Sequence, residues 1–156
     1  MTAAVASVRG VAKTFGDVTA LEDVTFELQE HRIHGLLGRN GAGKTTMMQI
    51  LTGQTWQDSG DVQVFGATPF ENATVLRDVC FVKESQQYPE AFRVGQVLSS
   101  AAMLMRDWDE EFARRLTDDL DLPLERRVKK LSRGMTSALG IVVGLASRAP
   151  LTLFDE

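Results

Sequence analysis

The stretch Gly38-Arg39-Asn40-Gly41-Ala42-Gly43-Lys44-Thr45 decides the fold of this chain of 156 residues. It follows the G-x-x-x-x-G-K-T pattern of a loop that wraps its backbone around phosphate groups. The apolar run at residues 33–37 predicts a buried strand before the loop, and residues 45–51 predict a helix behind it. Strand, loop and helix follow in the order that such a loop requires. The octet therefore predicts nucleotide binding, and its completeness argues against a chance glycine-rich turn.

Each part of the octet has a predicted role in binding a triphosphate. The glycines let successive N–H groups point inward at phosphate oxygens, and the start of the helix adds partial positive charge. Lys44 is expected to reach the β- and γ-phosphates, and the Thr45 hydroxyl to take one coordination position on Mg²⁺. The predicted nucleotide-binding residues of this loop are Gly38, Asn40, Gly41, Ala42, Gly43, Lys44, Thr45 and Thr46.

Composition predicts one globular domain without a membrane span. The apolar fraction is 44% and the formal net charge is −4, so nothing supports nucleic-acid binding. The longest apolar stretch, residues 138–146, is far shorter than the about 20 residues that span a bilayer, and the N-terminus lacks a secretion signal. We therefore expect a cytoplasmic protein. Cys80 is the one cysteine and is predicted to be reduced and buried. His31 and His34 do not indicate a metal site, since no other His or Cys lies at ligand spacing. His34 is predicted to lie in a strand.

The hydrophobic periodicity predicts an α/β organisation. Strand-like alternation covers the first thirty residues and predicts an antiparallel β portion, and residues 61–65 predict a further strand. Helical spacing then runs from residue 93 to about residue 121. A long helix is predicted at residues 132–147, followed by a last buried strand at 151–154.

A second group of motifs lies downstream of the phosphate loop. Leu131-Ser132-Arg133-Gly134-Met135 opens the long helix, and the last strand ends in Asp155-Glu156. Their order resembles that of the ATP-binding cassette (ABC) family. Lys13-Thr14-Phe15-Gly16 looks like that family's adenine-stacking loop, and residues 51–66 look like the stretch after its first helix. The resemblance covers essentially the whole chain.

The resemblance implies a P-loop NTPase core of the α/β class. This core carries the antiparallel β portion at its N-terminal end, and a helical subdomain at about residues 91–134 carries the segment at residues 131–135, which resembles the family's signature motif. Residues 1–156 then look like the first two-thirds of one nucleotide-binding domain, with the family's C-terminal part and its γ-phosphate histidine missing.

The resemblance also implies roles for individual residues. Phe15 would stack on adenine, with an ordinary packed strand aromatic as the alternative. Asp155 would bind Mg²⁺ and Glu156 would polarise the attacking water, the alternative being a helix cap or an ion pair. Ser132 and Gly134 would face the γ-phosphate held by a second copy, although Ser132 also suits a plain helix N-cap.

Three positions depart from the family pattern, and one of them is Met135, where the family usually has glutamine. Arg133 stands where the family usually has glycine, and its bulk and charge are expected either to weaken closure of the dimer or to strengthen it. The family's sensor loop corresponds to the segment after the predicted strand that ends at Val82-Lys83. Glu84 holds the position of the family's glutamine there and is the favoured ligand for Mg²⁺ and nucleotide. Gln86 and Gln87 lie close enough for a shifted register, and a solvated strand end is the remaining alternative.

The implied function is that of the ATPase subunit of a membrane transporter. Two copies, identical or different, would close on two MgATP and drive transmembrane permease subunits from the inner face of the membrane, with Lys44 and Glu156 as catalytic residues. The alternatives are a soluble family member acting on ribosomes or chromosomes, and a truncated cassette that binds ATP without turnover. The chain by itself is expected to bind ATP without multiple turnover.

Overall fold

The computed structural model describes residues 4–83 and 86–155, which form two compact units that divide between Leu76 and Arg77. Glu84 and Glu156, both assigned site roles above, lie outside the described residues. The fold is mixed α/β, as the sequence predicts. The assignment of residues 1–156 to a single domain and of residues 91–134 to a helical subdomain stays a prediction.

The first unit contains a three-stranded antiparallel sheet. Its strands are β1 (Ala4–Phe15), β2 (Val18–Gln29) and β3 (Ser59–Val64), in the order β2-β1-β3. This confirms the predicted antiparallel β portion. The buried positions of β1 do not keep one parity, because its pairing with β2 has register shifts between Ala4 and Ala6 and between Val8 and Val11. The buried apolar side chains of β1 and β3 are Val5, Ala6, Val8, Val11, Val62 and Val64.

The phosphate loop leads into helix α1 (Lys44–Leu51), as its sequence predicts. This helix buries Met47, Ile50 and Leu51 and contacts β2 and β3. The unit ends with a single helical turn, α2 (Ala73–Leu76), which the sequence did not indicate. Burial of one apolar stripe holds α1 against the sheet and so fixes the position of the loop at its N-terminus.

The predicted strand at residues 33–37 is wrong. Residues 32–39 form no strand, and Ile33 and Leu37 are 103% and 94% exposed. A strand needs a neighbour for its backbone hydrogen bonds, and residues 32–39 pair with none of the described strands. His34, predicted to be a strand residue, instead accepts a hydrogen bond at Nε2 from the Gln29 N–H at 3.1 Å.

The second unit contains a parallel pair of strands, β4 (Val79–Val82) and β5 (Leu151–Phe154). Both strands are predicted by their apolar runs, and β5 buries Leu151 and Leu153. Cys80 on β4 is a free, buried thiol, as expected. The pairing is continued by the Asp155 N–H, which donates to the Val82 carbonyl at 2.9 Å, so that Asp155 lies at the carboxyl end of the pair.

Three helices complete this unit: α3 (Val94–Leu104), α4 (Glu110–Asp119) and α5 (Arg133–Ala146). Their helical spacing was visible in the sequence, and α5 matches the predicted long helix closely. Gly144 lets α5 approach the strands, since an added Cβ would lie 2.6 Å from two atoms of the Phe154 ring. The core of this unit consists of buried residues of the three helices together with Leu122, which follows α4: Val94, Val97, Ala101, Ala113, Leu122, Leu139, Val142, Val143 and Ala146.

Candidate nucleotide-binding site

The phosphate loop ends at a helix N-terminus that carries no side-chain cap. The N-cap residue of α1 is Gly43, which has a left-handed backbone (φ 84°) and no side chain to accept a hydrogen bond from the first turn. The first turn also contains no acidic residue. Backbone N–H groups and the positive end of the helix dipole therefore face the loop without a carboxylate of that turn to compete for them. This is the local chemistry of an anion site.

Gly43 is also held by close packing against β2. A Cβ at this position would overlap the carbonyl oxygen of Ala20 and lie 2.8 Å from Leu21 Cδ2. The chain therefore needs glycine here both for its backbone conformation and for its contact with β2. This contact attaches the start of α1 to the β1–β2 hairpin.

Lys44 folds back over the loop that precedes it. Its Nζ donates to the carbonyl oxygens of Gly38 at 2.6 Å and Arg39 at 3.2 Å. The Ala42 N–H also donates to Arg39 O at 3.0 Å, which closes a tight turn within the loop. These bonds hold the ammonium group within the loop. The remaining predicted loop residues, Asn40, Gly41, Thr45 and Thr46, lie in the same segment or in the first turn of α1.

Phe15 lies at the end of β1, at the tip of the same hairpin. It pairs with Val18 across the turn and is 50% exposed, so it is not a packed core aromatic. The Lys13 ammonium lies 5.2 Å from the Phe15 ring centroid. Because Gly43 contacts Ala20 and Leu21 on β2, the hairpin end that carries Phe15 also supports the phosphate loop. The predicted base-stacking ring is thus carried by the same hairpin that contacts the predicted phosphate loop through Gly43.

The signature segment lies at the start of α5 in the second unit. Ser132 is the N-cap residue, and its Oγ accepts a hydrogen bond from the Met135 N–H at 3.2 Å. Gly134 is exposed, and an added Cβ would find only Ser132 Oγ, at 4.0 Å. Ser132 therefore acts as an N-cap here, and the surface beside Gly134 is open. A role for either residue towards a second copy stays a prediction.

The structure describes only some residues of the predicted sensor loop and does not describe the predicted catalytic carboxylate. Glu84 and Glu156 lie outside the described residues, so their predicted roles stay predictions. Gln86, the alternative to Glu84, donates its backbone N–H to the Lys83 carbonyl at 3.0 Å. Asp155 is partly buried at the carboxyl end of β5, the edge at which open α/β sheets bind ligands.

Two surface grooves of the second unit are lined by residues that have no predicted site role. One has a volume of about 390 Å³ and runs along α3; the other, of about 500 Å³, is lined largely by cationic side chains. The second groove is lined by Arg93, Pro123, Glu125, Arg126, Arg127 and Lys130.

No motif in the sequence marks Trp56 or Asp58 as functional residues. The side chain of Asp58 pairs with that of Lys13, which lies 45 positions earlier in the chain. Local patterns carry no information about a contact over that separation. The available signal was Lys13 itself, a charged residue in the apolar alternation of β1.

Comparison with known proteins agrees with this geometry. The sequence profile of the ABC transporter family matches residues 21–156. This chain belongs to the ABC transporter family. The ABC transporter ATP-binding protein YtrB of Bacillus subtilis is 26% identical to it over 148 residues, and the ribose import ATP-binding protein RbsA of Pseudomonas putida is 31% identical over 168 residues. A solved ATP-binding subunit of an ABC transporter superposes with a TM-score of 0.84 at 25% identity, covering 97% of this chain and 66% of the solved one.

The chain covers only part of these family members. The matched region is 95% of this chain but 51% of YtrB, and 100% of this chain but 33% of RbsA. Over residues 4–83 and 86–155, no helix has the length and apolar character needed to cross a bilayer. Within the same residues, no three His, Cys, Asp or Glu side chains are grouped closely enough to hold a metal ion.

Proposed function

We propose that this chain is the ATP-binding part of an ABC transporter subunit that binds and hydrolyses MgATP to drive transport across a membrane. The observation that carries the proposal is the phosphate loop, whose Lys44 and uncapped helix start lie together in a chain of this family. YtrB and RbsA are both named as ATP-binding proteins, and RbsA as an import protein, which supports the same function here.

The proposed triphosphate site uses the loop backbone and one cation. N–H groups at the start of α1 would donate to phosphate oxygens, and the helix dipole would favour the negative charge there. Lys44 would exchange its bonds to the Gly38 and Arg39 carbonyls for bonds to phosphate oxygens. A hydrogen bond to a charged group contributes about 1.5–3 kcal/mol, so Lys44 is expected to be a large part of the affinity.

The proposed base site is the exposed face of Phe15. Stacking of a base on an aromatic ring contributes about 1–3 kcal/mol and tolerates any base. We therefore expect ATP and GTP to lose affinity by similar factors when Phe15 is replaced by alanine. The two ends of the nucleotide would then be bound through the same β1–β2 hairpin, the phosphates through Gly43 and the base through Phe15.

Mg²⁺ is proposed to accompany the nucleotide. Hard oxygen donors suit this ion; Thr45, exposed at the start of α1, offers a hydroxyl, and Asp155, at the end of β5, offers a carboxylate. Glu84 is a further proposed ligand. When bound, Mg²⁺ would neutralise charge on the phosphates.

Hydrolysis is proposed to depend on Glu156 as the general base. Its carboxylate would accept a proton from water as the water oxygen attacks the γ-phosphorus, and the bond to the β,γ-bridging oxygen breaks to release ADP and phosphate. Lys44 would hold the γ-phosphate in line for this attack.

The proposed partners are a second nucleotide-binding subunit and transmembrane permease subunits. Ser132 and Gly134, exposed at the start of α5, would contact the γ-phosphate bound by the second copy. We place the subunit on the inner face of the membrane, where the permease subunits would hold it. The segment around residues 84–96 is the proposed contact with them.

Calorimetry with MgATP tests the proposal. The native chain should bind MgATP, and Lys44→Ala should weaken binding by roughly 10- to 100-fold, since about 1.4 kcal/mol corresponds to tenfold. Lys129→Ala is the matched control, because it removes an exposed lysine that has no proposed role. No binding by the native chain, or equal affinities for the two variants, would refute the phosphate-loop site.

A further inference from the structure

Lys13 is a charged residue in a buried position. Only 7% of its surface is exposed, although it lies just two residues before the half-exposed Phe15 on β1. Burial of an ammonium group is costly unless the group is paired. Its partner is Asp58, whose Oδ1 lies 2.8 Å from Lys13 Nζ.

Asp58 is held in place by three contacts with one short piece of β1. Besides the ion pair, its Oδ2 accepts a hydrogen bond from the Thr14 N–H at 2.7 Å, and its own N–H donates to the Ala12 carbonyl at 2.9 Å. The hydrogen bond from Lys13, followed by that from Thr14, lowers the pKa of Asp58 below its usual value. The carboxylate is therefore ionised at neutral pH, and the ammonium group has a fixed counter-charge.

The same ammonium group lies over two aromatic rings. Its Nζ is 5.2 Å from the centroid of Phe15 and 5.5 Å from that of Trp56, both within cation–π range. Trp56 in turn packs edge-on against Phe70, with 5.0 Å between the ring centroids. Phe15 and Trp56 stay 50% and 57% exposed. One side of the Phe15 ring is thus supported by Lys13, while half of the residue remains open to a ligand.

A purely structural ion pair is the simpler explanation, since Lys13 and Asp58 tie β1 to the loop before β3. That role accounts for the pair but not for two large, half-exposed rings that converge on one ammonium group. It also does not account for the location, which is the end of the hairpin that supports Gly43 of the phosphate loop.

We propose that Lys13, held by Asp58, is a positioning residue for the nucleobase: it fixes the Phe15 ring, with Trp56 on the same cation, so that the open side of Phe15 receives a purine. The proposal rests on the proposed function, because it assigns a residue to the base end of that site. It predicts that the Lys13 contact affects recognition of the base and leaves recognition of the phosphates unchanged.

The test compares ATP with inorganic tripolyphosphate, which carries the phosphates without a base. Lys13→Met keeps the length of the side chain and removes its charge. By calorimetry, this variant should bind ATP about three- to tenfold more weakly than the native chain, as expected from loss of a cation–π contact. Its affinity for tripolyphosphate should stay within about twofold. Lys129→Met is the control for the loss of a lysine elsewhere. Phe15→Leu should lose at least as much affinity for ATP and should keep its affinity for tripolyphosphate.

Asp58→Asn provides a second variant in case Lys13→Met does not fold by circular dichroism. It removes the counter-charge of Lys13 but keeps an acceptor for the Thr14 N–H. It should weaken the binding of ATP and leave the affinity for tripolyphosphate nearly unchanged. Equal effects on ATP and tripolyphosphate, or no effect on either in a folded variant, would overturn the positioning role. If the native chain binds neither ligand, the proposed function itself fails, which is a different outcome.

Discussion

Replacement of Gly43 by alanine tests whether the phosphate loop needs its contact with β2. The substitution forces a left-handed backbone on a residue with a side chain, which costs about 1–2 kcal/mol. The new Cβ would also overlap the carbonyl oxygen of Ala20. This oxygen is a backbone atom of the β1–β2 hairpin, so it does not move aside as the end of a flexible side chain would. Overpacking of this kind costs about 1–3 kcal/mol more. Gly43→Ala should therefore destabilise the first unit by about 2–5 kcal/mol.

Gly41→Ala is a matched control for this prediction. Gly41 has almost the same φ, 82° against 84°, but nothing lies within 4 Å of an added Cβ. Gly41→Ala should therefore lower the free energy of unfolding only by the backbone strain, about 1–2 kcal/mol. Urea unfolding followed by Trp56 fluorescence, in a Trp108→Phe background that leaves Trp56 as the sole tryptophan, measures both variants in the first unit. Equal costs for the two alanines would show that contact with β2 does not hold the loop.

Three further predictions concern the second unit and the reaction. Burial raises the pKa of Tyr88 to about 12, and the negative charge of a Cys80 thiolate adds to the effect. Because the folded state favours the neutral phenol, the free energy of unfolding should fall by about 3 kcal/mol as pH rises from about 10 to 12. The tyrosinate absorbance of Tyr88, the sole tyrosine, should rise near pH 12, and a rise near pH 10 would contradict its burial. Gly144→Ala should cost about 1–2 kcal/mol in urea unfolding, since crowding against Phe154 outweighs the gain in helix propensity, and unchanged stability would mean that the ring moves aside freely. In a full-length subunit, Glu156→Gln should keep MgATP binding and abolish phosphate release; release at the native rate would remove Glu156 from catalysis.

The parts of the fold that the sequence predicts are those set by local patterns. The alternation of β1 and β2, the stripe of α5 and the octet before α1 each specify an element without reference to distant residues. Ser132 is recognisable as an N-cap for the same reason, because serine satisfies the first turn of its own helix.

The parts that sequence reasoning missed depend on partners elsewhere. The apolar run at residues 33–37 indicates burial, but apolarity alone does not supply the neighbouring strand that a ladder needs. The pairing of Lys13 with Asp58 joins residues 45 positions apart, and it also brings Trp56 next to Phe15. Such contacts follow from the antiparallel pairing of β1 with β3, which periodicity does not specify.

Amide chemical shifts during a titration with MgATP test the central claim most directly. If the phosphate loop binds the triphosphate, the N–H signals of Gly41, Gly43 and Lys44 should move most, because their protons would take up hydrogen bonds to phosphate oxygens. Signals at the hairpin tip near Phe15 should move as well, whereas those of Ala113 in the buried helical core should stay unchanged. Titration with tripolyphosphate should move the loop signals alone. If the chain binds MgATP while the N–H signals of Gly43 and Lys44 do not move, this loop is not the nucleotide site.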